Sequence, residues 1–396
     1  MSDLVLSASV RQNLLSLQST ADLLSTTQNR LATGKKVNSA LDNPTNYFTA
    51  QSLDNRASDI NNLLDGIGNG VQILQAANTG ITSLQKLVDT AKSIASQVLQ
   101  SPVGYSTKAN VDVTGTGAGT GTTVATDLNA GKLGGSVITF KTATGSLAVT
   151  VGSSFSTGAG TATVQTLDQL NSVLASNGVA VSASLSATAD TLTFTSTNDA
   201  ASQTITKTGT APTGEGVDIA GTTTATVGTV NAAVSDPTSQ ATRANLVSQY
   251  NVIIQQITTT AQDSSFNGVN LLNGDNLKLT FNETGKSTLN ISGVTFNAGG
   301  LGLGSLTAGT DFLDSTSANA IVAKLGSASD TLRSEASSLG SNLSVVQIRQ
   351  DFNKNLINVL QTGSSNLTLA DTNEEAANSQ ALSTRQSIAV SALALA

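Results

Sequence analysis

The chain of 396 residues has no cysteine, no histidine and no tryptophan, and aromatic residues make up only 3% of it. Without cysteine there is neither a disulfide framework nor thiol chemistry; without histidine as well, the usual nucleophile–base pairs and soft metal sites cannot be assembled. Charge is also sparse. Asp, Glu, Lys and Arg together are 11%, with 19 basic against 26 acidic residues, giving a formal charge of −7. No basic stripe is present to track phosphates, so no nucleic-acid partner is expected. No apolar run is long enough to span a bilayer, so no membrane insertion is expected, and MSDLVLSASVRQNLL at the N-terminus lacks the layout of a secretory signal. Any compact core must be built from Leu, Ile, Val and Ala, and the length suits roughly two to four domains.

What the chain does have is an apolar stripe at each end. Val10, Leu14, Leu17, Ala21, Leu24, Gln28 and Leu31 fall at alternating steps of four and three, which predicts a helix from Asp3 to Thr33 that packs lengthwise against another. Gly34 is its expected C-cap, with Lys35 and Lys36 complementing the helix end. Ala377, Ala381, Thr384, Ile388, Ser391 and Leu395 keep the same stepping at the other end, with small residues that permit close approach. A single such stripe more often faces its own core. Two of matching length, on a chain with little else apolar outside helices, favour packing between copies, with Val10, Leu14, Leu17, Ala21, Leu24, Leu31, Ala381, Ile388 and Leu395 as the assembly surface.

Between the ends, Asp42-Asn43-Pro44 reads as a helix start. The helical pattern runs on to about Gln100 with Ile60, Leu64, Ile67, Val71, Leu74, Asn78, Ile81, Leu84, Val88, Ala91, Ala95 and Val98 as its seam. Gly66, Gly68, Gly70 and Gly80 lower its intrinsic helicity, so this helix should depend on its neighbours. From Pro102 to Pro237 the composition turns to uncharged Thr, Gly, Ala and Ser. Hairpins are expected at Val137–Phe140 with Leu147–Val151 and at Val179–Leu185 with Thr191–Thr195. A helix over Thr166–Ser176 joins them into a small α+β unit with loops such as Gly115–Thr123. Helical stepping returns at Leu246, Tyr250, Ile253, Ile257 and Thr260. Phe266-Asn267-Gly268 signals a turn, Leu277–Phe281 with Leu289–Phe296 a hairpin, and a last long helix starts near Ser317, with Gly363 as its expected break.

Small-molecule sites fare poorly. Gly285-Lys286-Ser287 lacks the earlier glycine of a phosphate loop, because position 280 is Thr, and Gly300, Gly302 and Gly304 lack the third glycine of a dinucleotide fingerprint. Asp371, Glu374 and Glu375 are explained by a helix N-terminus without invoking a cation. No catalytic, cofactor or metal residue is assigned.

Three stretches carry a family resemblance. LATGKKVNSALDNPTNYFTAQSLDNR, Leu31 to Arg56, resembles the N-terminal signature of bacterial flagellins, with Gly34, Asn38, Ser39, Asp42 and Pro44 in its turn. FNGVNLLNG, Phe266 to Gly274, is similar to the flagellin motif before a β-hairpin, and LADTNEEAANSQALSTRQSIAVSALALA, Leu369 to Ala396, looks like the flagellin C-terminal helix. The wording around Ser39 to Asp54 is closest to alphaproteobacterial flagellins, and Val137 to Asn198 resembles a small repeat of some flagellins and hook-associated proteins. The stretch Leu84 to Gln97 departs from the family by lacking the Arg-Glu-Leu that an innate immune receptor reads.

The resemblance implies a mainly α fold with a β-rich insert: a long antiparallel helical bundle or coiled coil from both chain ends, one β-hairpin, and an outward α+β insert. It divides the chain into terminal helices, 1–40 and 372–396, forming an inner filament tube; a helical shell, 41–103 and 237–371; and a surface insert, 104–236. It implies a non-enzymatic subunit that self-assembles head to tail into the flagellar filament for swimming. Export through the flagellar type III channel would carry it outside the cell, with an export chaperone, cap and hook-junction proteins as further partners. A hook–filament junction protein or a glycan-binding surface protein of flagellin type are the alternatives, and a hydrolase is remote. Two more expectations concern the ends: disorder before about Ala40 and after about Thr372 in the free subunit, and a natural chain extending past Ala396, where no helix stop signal stands.

Overall fold

The computed structural model describes residues 8–395 except 187–189, 213–215 and 222–223. The first helix, α1 (Ala8–Thr33), ends where Gly34 takes left-handed backbone at φ 68°, which glycine adopts without steric cost. The long helix α2 (Pro44–Gln100) follows, with the Asn43 side chain accepting from the Asn46 N–H and Pro44 in the first turn. The insert then runs through β1 (Tyr105–Thr107), β2 (Asn110–Gly115), β3 (Val137–Thr142), β4 (Gly145–Val151), β5 (Ser156–Gly158), β6 (Thr161–Val164), α3 (Leu167–Ser176), β7 (Val181–Leu185), β8 (Thr191–Ser196), a single 3-10 turn (Asn198–Ala200), β9 (Thr204–Thr206), β10 (Gly216–Gly221), β11 (Ala225–Asn231) and β12 (Val234–Ser235). The chain returns to α4 (Pro237–Asp263), the hairpin strands β13 (Leu277–Thr280) and β14 (Thr288–Ile291), α5 (Ser315–Thr368) and α6 (Thr372–Leu395). The fold is mainly α with a β-rich insert.

Helices α2 and α5 lie antiparallel and form a rod: Leu53 sits beside Gly363, and Gly68 beside Gln350 further along. Helix α4 and the β13–β14 hairpin complete its main core. Leu74, Ile81, Leu84 and Val98 of α2, Tyr250 and Ile257 of α4, and Leu325, Leu332 and Val346 of α5 are buried there. Ala57, Ile60, Ile357 and Leu360 make a second, smaller cluster. The expected α2 seam is buried except at Leu64, half-buried, and Asn78, exposed; Ala77, one residue earlier, takes the inside position. In α4, Ile254 rather than Ile253 is buried, and Ala261 rather than Thr260.

Two glycines of α2 serve close packing. A Cβ at Gly70 would stand 2.5 Å from the Leu279 side chain of β13, and one at Gly80 would collide with Ser264 and Leu272. The intrinsic helicity these residues forgo is exchanged for contact with the hairpin and the turn beyond α4. Gly363 does not end α5, which continues to Thr368; helical backbone tolerates the glycine, and Leu53 packs 3.5 Å from where its Cβ would be. The chain leaves the helix at Leu369, where backbone pairing with Lys35 replaces helical bonds.

The insert is larger than the small α+β unit read from the sequence. Both expected hairpins form, β3 with β4 and β7 with β8, and Thr166 caps α3 in a reciprocal capping box with Gln169. Around them the order β5-β6-β4-β3-β10-β9 makes a six-stranded sheet and β11-β2-β8-β7 a four-stranded one. The two sheets and α3 share one core, in which Phe140 of β3 and Phe194 of β8 meet edge-on with ring centres 5.2 Å apart. The Gly115–Thr123 loop runs along a second segment, Gly117 donating to Lys132 and Gly121 to Ala130.

Candidate assembly interface

Helix α1 lies along α6. Their burial is inverted relative to an ordinary helix pair. Among the described residues, none of the buried hydrophobic side chains belongs to α1 or α6; the buried positions are Thr20, Thr27 and Glu375. Val10, Leu17, Ala21 and Leu24 of the expected stripe are half-buried, as are Ser379, Leu382, Gln386 and Ala389 of α6. Arg30 joins the two helices by an ion pair to Glu375 at 3.3 Å, while its Nε is buried without a partner among the described residues.

Several large apolar side chains point outward. Leu14, Leu15, Leu23 and Leu31 of α1 and Ile388 and Val390 of α6 are exposed, Leu15 at 67% and Ile388 at 64%. Ala381 is exposed with Ile388, so the expected α6 stripe lies on the face turned away from the half-buried line through Glu375. The α1 stripe is divided, Leu17 and Leu24 inward, Leu14 and Leu31 outward. The side chain of Leu395 lies outside the described residues. Leu15 and Leu23, absent from the stripe read in the sequence, line a shallow groove on α1 with Gln18, Asp22 and Thr26.

The turn between α1 and α2 brings its signature residues together. Lys36 N–H donates to the Thr368 carbonyl at 2.7 Å, and Ala370 N–H to the Gly34 carbonyl at 2.9 Å, so both crossings between rod and terminal pair are sewn to each other. The Asp42 carboxylate accepts from the N–H groups of Ser39 at 2.8 Å and Asn38 at 2.9 Å; the Asn38 side chain donates to the Lys35 carbonyl. The bonds from Ser39 and then Asn38 hold the Asp42 pKa below its ordinary 3.8. Pro44 then opens α2.

At the hairpin motif, Phe266 and Val269 exchange backbone bonds at 3.0 Å around Asn267 and Gly268, both at positive φ, as a tight hairpin turn requires. Sequence reasoning missed Asn270 of the same motif. It is buried, donates to the carbonyls of Ala261 and Gln262 at 2.8 Å, and so satisfies the last turn of α4. An amide side chain a few residues past a helix end was the available signal.

Among the described residues, no helix is long and apolar enough to cross a membrane, and no group of three or more His, Cys, Asp or Glu side chains could hold a metal ion.

The fold is an elongated helical rod whose two chain ends run side by side, with outward apolar residues and a β-rich body inserted midway. Residues 3–111 match the bacterial flagellin N-terminal helical region. Flagellin FljM of Caulobacter vibrioides is 33% identical over 153 residues, 38% of this chain and 55% of the relative. Flagellins FljO and FljK of the same organism are each 31% identical over 153 residues, with the same coverage. The chain thus spans little more than half the length of these curated relatives. Over these stretches the chain is similar to bacterial flagellins.

Proposed function

We propose that the chain is the repeating subunit of a helical bacterial flagellar filament used for swimming, and that it acts by assembly rather than by catalysis. The observation that carries this reading is the inverted burial of the α1–α6 pair: hydroxyls and an ion pair inside, Leu14, Leu15, Leu23, Leu31 and Ile388 outside. A two-helix pair without buried apolar side chains gains little free energy by itself, so its order calls for neighbours that cover the outer leucines. The same surface on every copy, meeting a different surface on the next, gives a heterologous contact that propagates into a helix rather than closing into a ring.

In this reading residues 1–40 and 372–396 form the inner tube, 41–103 and 237–371 the surrounding shell, and 104–236 the outward body. The assembly residues are Val10, Leu14, Leu17, Ala21, Leu24, Leu31, Ala381, Ile388 and Leu395, with Leu15 and Leu23 added. The subunit would be exported to the cell exterior, with the flagellar export chaperone, cap and hook-junction proteins as partners besides its own copies. Electron microscopy of the purified chain after salt-induced assembly tests the proposal. Long helical filaments are expected; a chain that stays monomeric, or that forms only short closed rings, counts against it.

A further inference from the structure

The insert leaves the rod through Ser101–Gly104 and returns through Val234–Asp236, and between these crossings β1 and β12 pair as a two-stranded neck, Tyr105 opposite Ser235 and Thr107 opposite Val234. Bodies joined by so narrow and polar a connection ordinarily move relative to one another. Two sets of contacts oppose that motion here.

The first is centred on Arg243, in the second turn of α4 and only 2% exposed. Its guanidinium donates to four backbone carbonyls: Nε to Pro102 at 2.7 Å, Nη1 to Phe312 at 2.6 Å, and Nη2 to Ser101 at 3.0 Å and Val98 at 3.2 Å. These carbonyls belong to the end of α2, the outgoing crossing and the segment entering α5. One side chain from α4 therefore gathers every strand of backbone at the root of the neck. At the end of α2 it adds a second bond to the Val98 carbonyl, which also accepts from the Ser101 N–H. Burial lowers the Arg243 pKa and the nearby Asp314 charge opposes that, leaving a guanidinium that stays charged. Phe312 holds its carbonyl toward this group from φ 61°, a conformation that is costly for a bulky residue and persists when its surroundings over-determine it. Its ring is fully buried, edge-on to Tyr250 at 5.9 Å.

The second contact lies beyond the neck. Asp314 is buried, caps α5 by accepting from the Ser317 N–H at 2.9 Å, and also accepts from the Ser202 hydroxyl of the insert. The 3-10 turn just before Ser202 packs on α5. Hinge motion at the neck would have to break this clasp.

We propose that Arg243 at the neck and the Asp314–Ser202 clasp form a two-point mount that fixes the orientation of the insert on the rod, with Arg243 as the positioning residue. The assignment stands on these contacts and is independent of the filament reading. A planar fork is needed to reach four carbonyls at once; a lysine is a point donor and cannot span them.

Because the chain has no cysteine, spin labels can be placed cleanly on the full chain at Ser154→Cys in the insert and Ser327→Cys on α5, both exposed. Pulsed electron–electron resonance should give one narrow distance distribution. Arg243→Met should broaden it at least roughly twofold, the behaviour of tethered bodies, while insert and rod each keep a cooperative melting transition, and Arg243→Lys should broaden it as well. Ser202→Val should broaden it to a smaller degree. A wild-type distribution already as broad as that of Arg243→Met, an unchanged width in folded Arg243→Met, or full recovery of the width with lysine would each overturn the mount. Should Arg243→Met fail to fold, Ser202→Val decides: an unchanged width removes the second point of attachment and with it the proposal.

Discussion

Replacing Leu15 and Leu23 together by Ala isolates what the outer face of α1 contributes to assembly. The two side chains are 67% and 52% exposed in the single chain. Each change removes three carbons, worth about 2.4 kcal/mol for complete burial at about 0.8 kcal/mol per carbon. Scaled by the area each still has to lose, the pair forfeits about 3 kcal/mol of contact with neighbours, or a rise of about a hundredfold in the critical concentration for assembly. The single chain should barely notice, since neither side chain is buried there and alanine is a strong helix former. Sedimentation of salt-induced filaments over a concentration series measures the critical concentration, and calorimetry of the monomer checks the fold. A critical concentration within about twofold of wild type, with the rod melting unchanged, would refute the argument that this face is covered in the assembly.

Gly80→Ala should lower the melting temperature, because its Cβ would run into Ser264 and Leu272 at about 1–3 kcal/mol, more than the helix propensity gained; Gly66→Ala, with open space around it, should raise stability by up to about 1 kcal/mol. Ser196 in β8 is fully buried with a hydroxyl that has no partner among the described residues, so Ser196→Ala should stabilise the insert by about 1 kcal/mol in thermal unfolding. The depressed Asp42 pKa means that its hold on the turn is complete above the ordinary 3.8 and is lost as pH falls through the lower folded value; hydrogen exchange at Asn38 and Ser39 should accelerate only below that ordinary value, and Asp42→Ala should abolish the difference. Limited proteolysis of the monomer should trim α1 and α6 while sparing the rod and insert, whereas the assembled form should protect them; equal resistance in both states would show that the pair is ordered without neighbours.

Features set by neighbouring residues were legible in the sequence. The Asn43–Pro44 start of α2, the Gly34 stop of α1 and the Asn267-Gly268 turn each act within a few residues, and each stands where its chemistry indicated. Strands that bury one face by alternation, such as β3 and β8, were legible too. Strand β5 was not, because all three of its residues are exposed and carry no period-two signal. In the single chain the α1 stripe is split over two faces: threonines at 20 and 27 go inside while leucines at 14 and 31 stay out, an order that hydrophobicity alone does not give. Arg243 gave no local sign at all, since the carbonyls it gathers lie as far as 145 positions away.

The bond from Lys36 to Thr368 has a kinetic consequence. Closing a flexible loop of roughly 330 residues costs about 5 kcal/mol in chain entropy, more than the few backbone bonds at the crossing return. Once α2 and α5 have zipped together, with Leu53 already beside Gly363, only about 17 positions on the α2 side and about five on the α5 side separate that contact from the crossing, and the closure becomes inexpensive. The rod thus acts as a splint that holds the two ends at high mutual concentration. The ends meet only after the rod exists, and they part first when it loosens.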